Sequence, residues 1–189
     1  MAEDSKYLYL FFVIAFLVAA GVFGFIYIGP VIVAIIGSAG VGGLVAWLLT
    51  TFKRPANPGR IAPLYFLTIA ALMVHITEEY LTEFPQRMSE TFSITFTEPV
   101  FVVTIAMVGF VIWILGGVAL LYGNPLGNYI CWFLFIGMIF AELTHFVFPI
   151  AEGGPYHYFP GMWTALLPLI PASFGMYRLI VDYSVSGKR

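Results

Sequence analysis

YLYLFFVIAFLVAAGVFGFIYIGPVIVAIIGSAGVGGLVAWLLTTF, residues 7–52, runs for 46 residues without an Asp, Glu, Lys or Arg. A helix needs about 20 apolar residues to cross a bilayer. The run therefore holds two spans, 7–28 and 31–51, hinged at Gly29-Pro30. Its first half is too long, and too closely followed by the second, to be a cleaved signal peptide, whose apolar core is about 7–15 residues. Gly37, Ser38, Ala39, Gly40, Gly42 and Gly43 give the second span a small-residue face. Such a face suits close helix packing in lipid.

The rest of the chain follows the same pattern. KRPANPGR at 53–60 is a polar turn, and a third span covers 61–81. A mixed polar stretch fills 82–98. A second charge-free run of 43 residues, 99–141, is broken by Gly-Asn-Pro-Leu-Gly-Asn at 123–128. It predicts spans at 100–122 and 128–150. A sixth, kinked by Pro168 and Pro171, covers 160–181. The expected fold is a single all-α membrane domain over 1–189, a polytopic transmembrane bundle of six spans. Lys6, Lys53, Arg54, Arg60, Arg178, Lys188 and Arg189 fall on one side and only Arg87 on the other. The positive-inside rule puts both termini in the cytoplasm, in a plasma (inner) membrane.

Composition narrows the function. The 189 residues are 61% hydrophobic and 10% charged, against about a quarter charged in soluble domains. A soluble globular enzyme is excluded, and so is a disordered chain. Eight Lys+Arg against ten Asp+Glu give a net charge of -2, with no basic stripe for nucleic acid. The single cysteine, Cys131, forms no intrachain disulfide.

Ionisable residues within lipid are costly and mark functional sites. Here they concentrate in two spans. His75, Glu78 and Glu79 lie in the third, Glu142 and His145 in the fifth, and His157 in the outer loop that follows. His75 and Glu142 each lie fourteen residues into their spans, about 21 Å from the cytoplasmic end. Glu78, Glu79 and His145 are one turn further out. Spacings of i,i+3 and i,i+4 put each set on one helix face. His75 thus meets the height of Glu142, and Glu78 or Glu79 that of His145, with His157 above. Three carboxylates among neutral imidazoles call for positive charge in a low dielectric. Without thiolate, the donor set suits zinc, iron or manganese, as one or two divalent ions. The expected metal set is His75, Glu78, Glu79, Glu142, His145 and His157, with Glu78 as general base or second-metal ligand.

The same residues permit a metal-free reading, in which Glu142 bonds His75 and a glutamate of the third span bonds His145. Two function classes therefore stay open. One is a metal-dependent membrane enzyme, a hydrolase or a dinuclear oxidoreductase, acting on a lipid-like or hydrophobic substrate. The other is a proton- or divalent-metal-coupled transport or binding protein, or a subunit of a larger membrane complex or oligomer. Residues 83–98, with the alternating TFSITFT at 91–97, read as an interfacial segment or lid. Tyr156, Tyr158, Trp163 and Phe148 read as an outer aromatic belt, and Asn124 and Asn128 as turn residues.

The run His75-Ile76-Thr77-Glu78-Glu79 resembles the signature of the HXXEE-motif family, integral membrane proteins of unassigned function. The run from Tyr158 to Leu167, with Pro160-Gly161 and Thr164-Ala165, is similar to that family's second landmark. The resemblance covers roughly 61–171. It implies that these residues form a site and implies no particular reaction.

Overall fold

A computed structural model describes residues 3–186, with side chains for 7–185. Lys188, Arg189 and the side chain of Lys6, which entered the orientation argument, lie outside it. The described residues form seven helices and no strand. They are α1 (Glu3–Tyr27), α2 (Pro30–Leu49), α3 (Pro58–Leu81), α4 (Phe84–Phe92), α5 (Glu98–Leu121), α6 (Pro125–Glu152) and α7 (Leu166–Ser186). Five of them, α1, α2, α3, α5 and α6, are long and apolar enough to cross a membrane. The sixth expected span corresponds to α7, which carries Arg178 and Asp182 and is not among the five.

The helix starts follow local chemistry. Proline occupies the first turn of α2 through α6, where its missing N–H has no helical partner to lose. Asn57 and Asn124 cap α3 and α6 by accepting the amides of Gly59 and Leu126, filling orphan donors. The turn between α1 and α2 uses Gly29 at φ 118°, a conformation that side chains disfavour.

At the centre of the bundle lies α6, packed against α2, α5 and α7, while α3 packs on α7 and α5, and α1 rests mainly on α2. The small-residue face of α2 allows its contact. A Cβ on Gly43 would lie 2.9 Å from the backbone of Phe133 on α6. Two anchors show that α3 and α6 run in the same direction. The Ala56 amide, just before α3, donates to Asn128 Oδ1 at the start of α6 (2.9 Å), and their far ends meet at the site described below. Arg60 at the start of α3 reaches Asp182 at the end of α7 (3.1 Å), so these two helices are antiparallel. Asn128 is therefore more than a turn residue: it is buried and ties one loop to another helix.

The surface is far more apolar than that of a water-soluble protein, while several ionisable groups lie within the core. Phe11 is 64% and Leu81 72% exposed, whereas His75 and Glu142 are each 2% exposed. Apolar surface outside and polar groups inside is what a hydrocarbon solvent requires.

Three expectations need correction. Residues 160–165 are not the start of the last span. They form an irregular strap, and the helix begins at Leu166; the amides of Trp163 and Thr164 are taken by the side chain of Glu78 on α3. Pro168 consequently falls in the first turn, where it blocks no helical bond, and only Pro171 lies inside the helix. The strand-like 91–97 stretch divides, Thr91 and Phe92 completing α4 and the remainder leading into α5. Phe148 is buried beside Phe159, so it is core rather than belt.

Candidate metal centre

Successive helix residues are separated by about 100° around the axis, and this decides the roles of the α3 residues. His75 and Glu79, four apart, share the buried face, and Glu78 turns toward the strap. On α6 the buried face presents Glu142 and His145. His75 Nε2 lies 2.8 Å from Glu142 Oε2 and 3.6 Å from Glu79 Oε1. His145 Nε2 lies 3.4 Å from Glu79 Oε1 and 3.9 Å from Glu142 Oε2. The two rings stand edge to face, 4.8 Å apart. All four residues are buried.

The far sides of the imidazoles are held by the strap. His145 Nδ1 lies 2.7 Å from the Pro160 carbonyl oxygen, which can only accept. Nδ1 therefore carries the proton, and Nε2 of the neutral ring offers a lone pair. His75 Nδ1 lies 3.1 Å from Thr164 Oγ1. The Thr164 hydroxyl donates its one proton to Glu78 Oε2 (2.6 Å), so it accepts from His75 and leaves that ring in the same tautomer. With both rings neutral, two nitrogen lone pairs would face two carboxylates, whereas the 2.8 Å contact of His75 Nε2 with Glu142 Oε2 equally fits a proton held between them. Glu142 Oε2 is buried with His75 Nε2 2.8 Å away, so a neutral His75 would leave this carboxylate oxygen without a donor, a costly condition.

A cation fits this ring. Ligand atoms bound about 2.0–2.2 Å from a zinc-sized ion, at ordinary angles, lie about 3 Å apart. The observed separations run from 2.8 to 3.9 Å. The facing atoms of His75, Glu79 and His145 all lie within 4.8 Å of one another. Two imidazoles and one carboxylate form a recurrent donor set for catalytic zinc and for non-haem iron.

Backbone and aromatic groups close the site. Gly161, at φ 89°, passes so near that a Cβ there would lie 2.6 Å from His145 Cε1 and 3.0 Å from His75 Cε1. From α4, Phe84 sets its ring 5.2 Å from that of His145. Phe159 packs against Phe84 and Phe148. The Pro160-Gly161 pair was the available sequence signal for this strap, as a turn before Thr164. Its docking partner could not be read from the pattern.

Two expected ligands stand elsewhere. Glu78 Oε1 accepts from the Tyr158 hydroxyl (2.6 Å) and the Trp163 amide (3.2 Å). Its Oε2 accepts from the Thr164 amide (2.7 Å) and hydroxyl. Four donors occupy this carboxylate, leaving no free face for an ion or for a base. His157 likewise has both nitrogens engaged, Nδ1 with the Pro155 carbonyl (3.0 Å) and Nε2 with Glu152 (2.5 Å). It belongs to a second cluster, in which Arg87 from α4 contacts both oxygens of Glu152 (2.7 and 2.8 Å) and Thr91 donates to the same carboxylate. Glycines 153 and 154, both at positive φ, turn the chain at the end of α6 toward α4 rather than over the centre. The Pro155 carbonyl and the Glu152 carboxylate raise the His157 pKa above the usual imidazole value. Burial, with Glu78 beside it, raises that of Tyr158 and keeps its hydroxyl a donor.

A family model described as protein of unknown function with HXXEE motif matches residues 65–176. No curated protein and no solved structure matches the chain.

Proposed function

This chain belongs to the HXXEE-motif family, and from that premise we propose that it is a membrane enzyme built around one divalent metal ion, acting on a lipid-like or hydrophobic substrate. The observation carrying the proposal is the convergence of His75 Nε2, His145 Nε2, Glu79 Oε1 and Glu142 Oε2 in a buried volume. His75, Glu79 and His145 hold the ion. Glu142, whose Oε2 faces the same volume, is the fourth ligand or the group that takes a proton from the reacting molecule. A bound zinc, iron or manganese ion supplies Lewis acidity, which suits hydrolysis. One ion accounts for the four atoms. The six-ligand, dinuclear alternative loses its support because Glu78 and His157 are committed elsewhere.

The proposed topology has α7 as the sixth span and both termini cytoplasmic, in a plasma (inner) membrane. Lys53, Arg54 and Arg60 near the start of α3, with Arg178 on α7, support this orientation. It sets the metal centre in the outer half of the bilayer, within reach of lipid.

One observation favours a second reading. The 2.8 Å separation of His75 and Glu142 also suits an imidazolium donating to a carboxylate. Two imidazoliums would neutralise two carboxylates, giving a proton-handling or transport site. Elemental analysis of protein purified in detergent separates the two. About one ion per chain, lost in the His75→Ala/His145→Ala variant, is the expected result. Protein that stays ion-free after supplementation with zinc, iron(II) and manganese overturns the metal reading. Turnover of phospholipid, acylglycerol and acyl-amide substrates by the ion-loaded protein then tests the reaction class.

A further inference from the structure

We infer that Glu78, the first glutamate of the HXXEE motif, is a positioning residue that acts through Thr164 to fix the tautomer of His75 and aim its Nε2 into the metal centre. The inference rests on the metal reading for its purpose, though its geometry stands alone.

Glu78 and Glu79 are adjacent in sequence and carry the same charge, yet their surroundings are opposite. Glu79 faces two imidazole nitrogens and no donor outside the ring. Glu78 is saturated by four donors, all from residues 158–164. Only an ionised carboxylate accepts four such bonds at once. Its charge fixes the direction of the chain of bonds. The Thr164 proton points to Glu78, the Thr164 oxygen is left as acceptor, and Nδ1 of His75 must donate to it. The lone pair of His75 is thereby assigned to Nε2, on the side of Glu142 and Glu79. Carboxylates behind metal-binding imidazoles do the same in soluble sites. Here a threonine hydroxyl is interposed, which lets one carboxylate hold the strap as well. The strap in turn brings the Pro160 carbonyl to His145, so Glu78 reaches both rings, one through a hydroxyl and one through backbone.

The test uses the full-length chain in detergent with 15N-labelled histidine. Resonances are assigned with His75→Gln, and cobalt(II) serves as the ion, read by its visible absorption. In the ion-free wild type, His75 should show the Nδ1–H tautomer. Thr164→Val keeps the backbone amide bond and the side-chain volume but removes the acceptor. It should shift His75 toward a tautomer mixture and weaken cobalt binding about 10–100-fold, with helicity and melting temperature near the wild type. Thr164→Ser should restore both readouts. Glu78→Gln should reproduce the Thr164→Val signature. If that variant does not fold, Thr164→Val still decides. An unchanged His75 tautomer in Thr164→Val overturns the inference. A wild type that binds no cobalt but shows a neutral Nδ1–H ring at His75 counts against the metal reading alone, whereas a His75 protonated on both nitrogens overturns the inference.

Discussion

The protein holds two clusters made of the same residue types, and they are built on opposite principles. At the rim, where the end of α6 meets α4, Glu152 meets Arg87 through both oxygens, with Thr91 and His157 adding donors. Its negative charge is answered within the cluster, and Arg87 and His157 keep partial contact with water. In the buried ring, Glu79 and Glu142 face the imidazoles of His75 and His145, each of which also reaches the strap through Nδ1. Among the described residues, no Lys or Arg is buried. A carboxylate with its own guanidinium forms a structural clasp. Two buried carboxylates without one need their charge answered by protonated imidazoles, by protons of their own or by a bound cation. The contrast separates a latch from a candidate binding site more sharply than residue identity does.

The largest test of that contrast removes the nitrogen ligands. His75→Ala with His145→Ala should reduce bound metal from about one ion per chain to about a tenth or less, measured by elemental analysis. His157→Ala should leave it unchanged. A metal content that follows His157 instead would invert the assignment of the two clusters.

Charge removal should act with opposite signs on the two clusters. Glu142→Gln takes a charge out of the buried ring. It should weaken cobalt binding about 10–100-fold, while the ion-free protein melts no lower than wild type, because an uncompensated charge is gone. Glu152→Gln should leave cobalt affinity within about twofold and lower the stability of the rim. With Arg87 42% exposed on its side chain, solvent screening limits that loss to about 1 kcal/mol. Thermal melting of both variants with and without ion reads the four values, and equal behaviour would erase the distinction.

Gly161→Ala probes the cover over the ring. A side chain at φ 89° costs about 1–3 kcal/mol, and its Cβ would press on His145. The expected result is a lower melting temperature together with weaker cobalt binding. Gly123→Ala, where φ is also positive but no atom lies within 4 Å, should lower stability without touching affinity.

Helix periodicity and length made the ring legible as far as helix geometry reaches. Equal depth along two parallel helices puts His75 beside Glu142 and one glutamate beside His145, since both spans share a rise per residue. Which glutamate that is depends on the rotation of α3 about its axis, set by packing on α7 and α5, and spacing alone leaves Glu78 and Glu79 equivalent. The strap was hidden because its order comes from a side chain eighty residues away in sequence rather than from its own pattern. His157 was misread for a related reason. Height above the ring is readable, but the direction taken after Gly153 and Gly154 is not. Composition, in turn, identified apolar helices reliably, whereas α7, with its Arg178–Asp182 segment, sits at the margin where composition stops deciding.

The smallest expected effect belongs to pH and falls on the rim alone. The Pro155 carbonyl and Glu152 raise the His157 pKa in the folded protein, so folding favours the charged imidazolium. Its contribution is full below the unfolded value of about 6.5 and is lost as pH rises through the raised folded value. Hydrogen exchange at the amides of α4, which Arg87 ties to the same carboxylate, should therefore accelerate slightly beyond intrinsic chemistry as pH climbs above about 6.5. His157→Gln should flatten that dependence. Because the buried ring draws no donor from Glu152, the coordination spectrum of bound cobalt should not change in step with this exchange. If the spectrum and the α4 exchange share one midpoint, the clusters are coupled, and the rim governs access to the centre instead of merely bracing the helix above it.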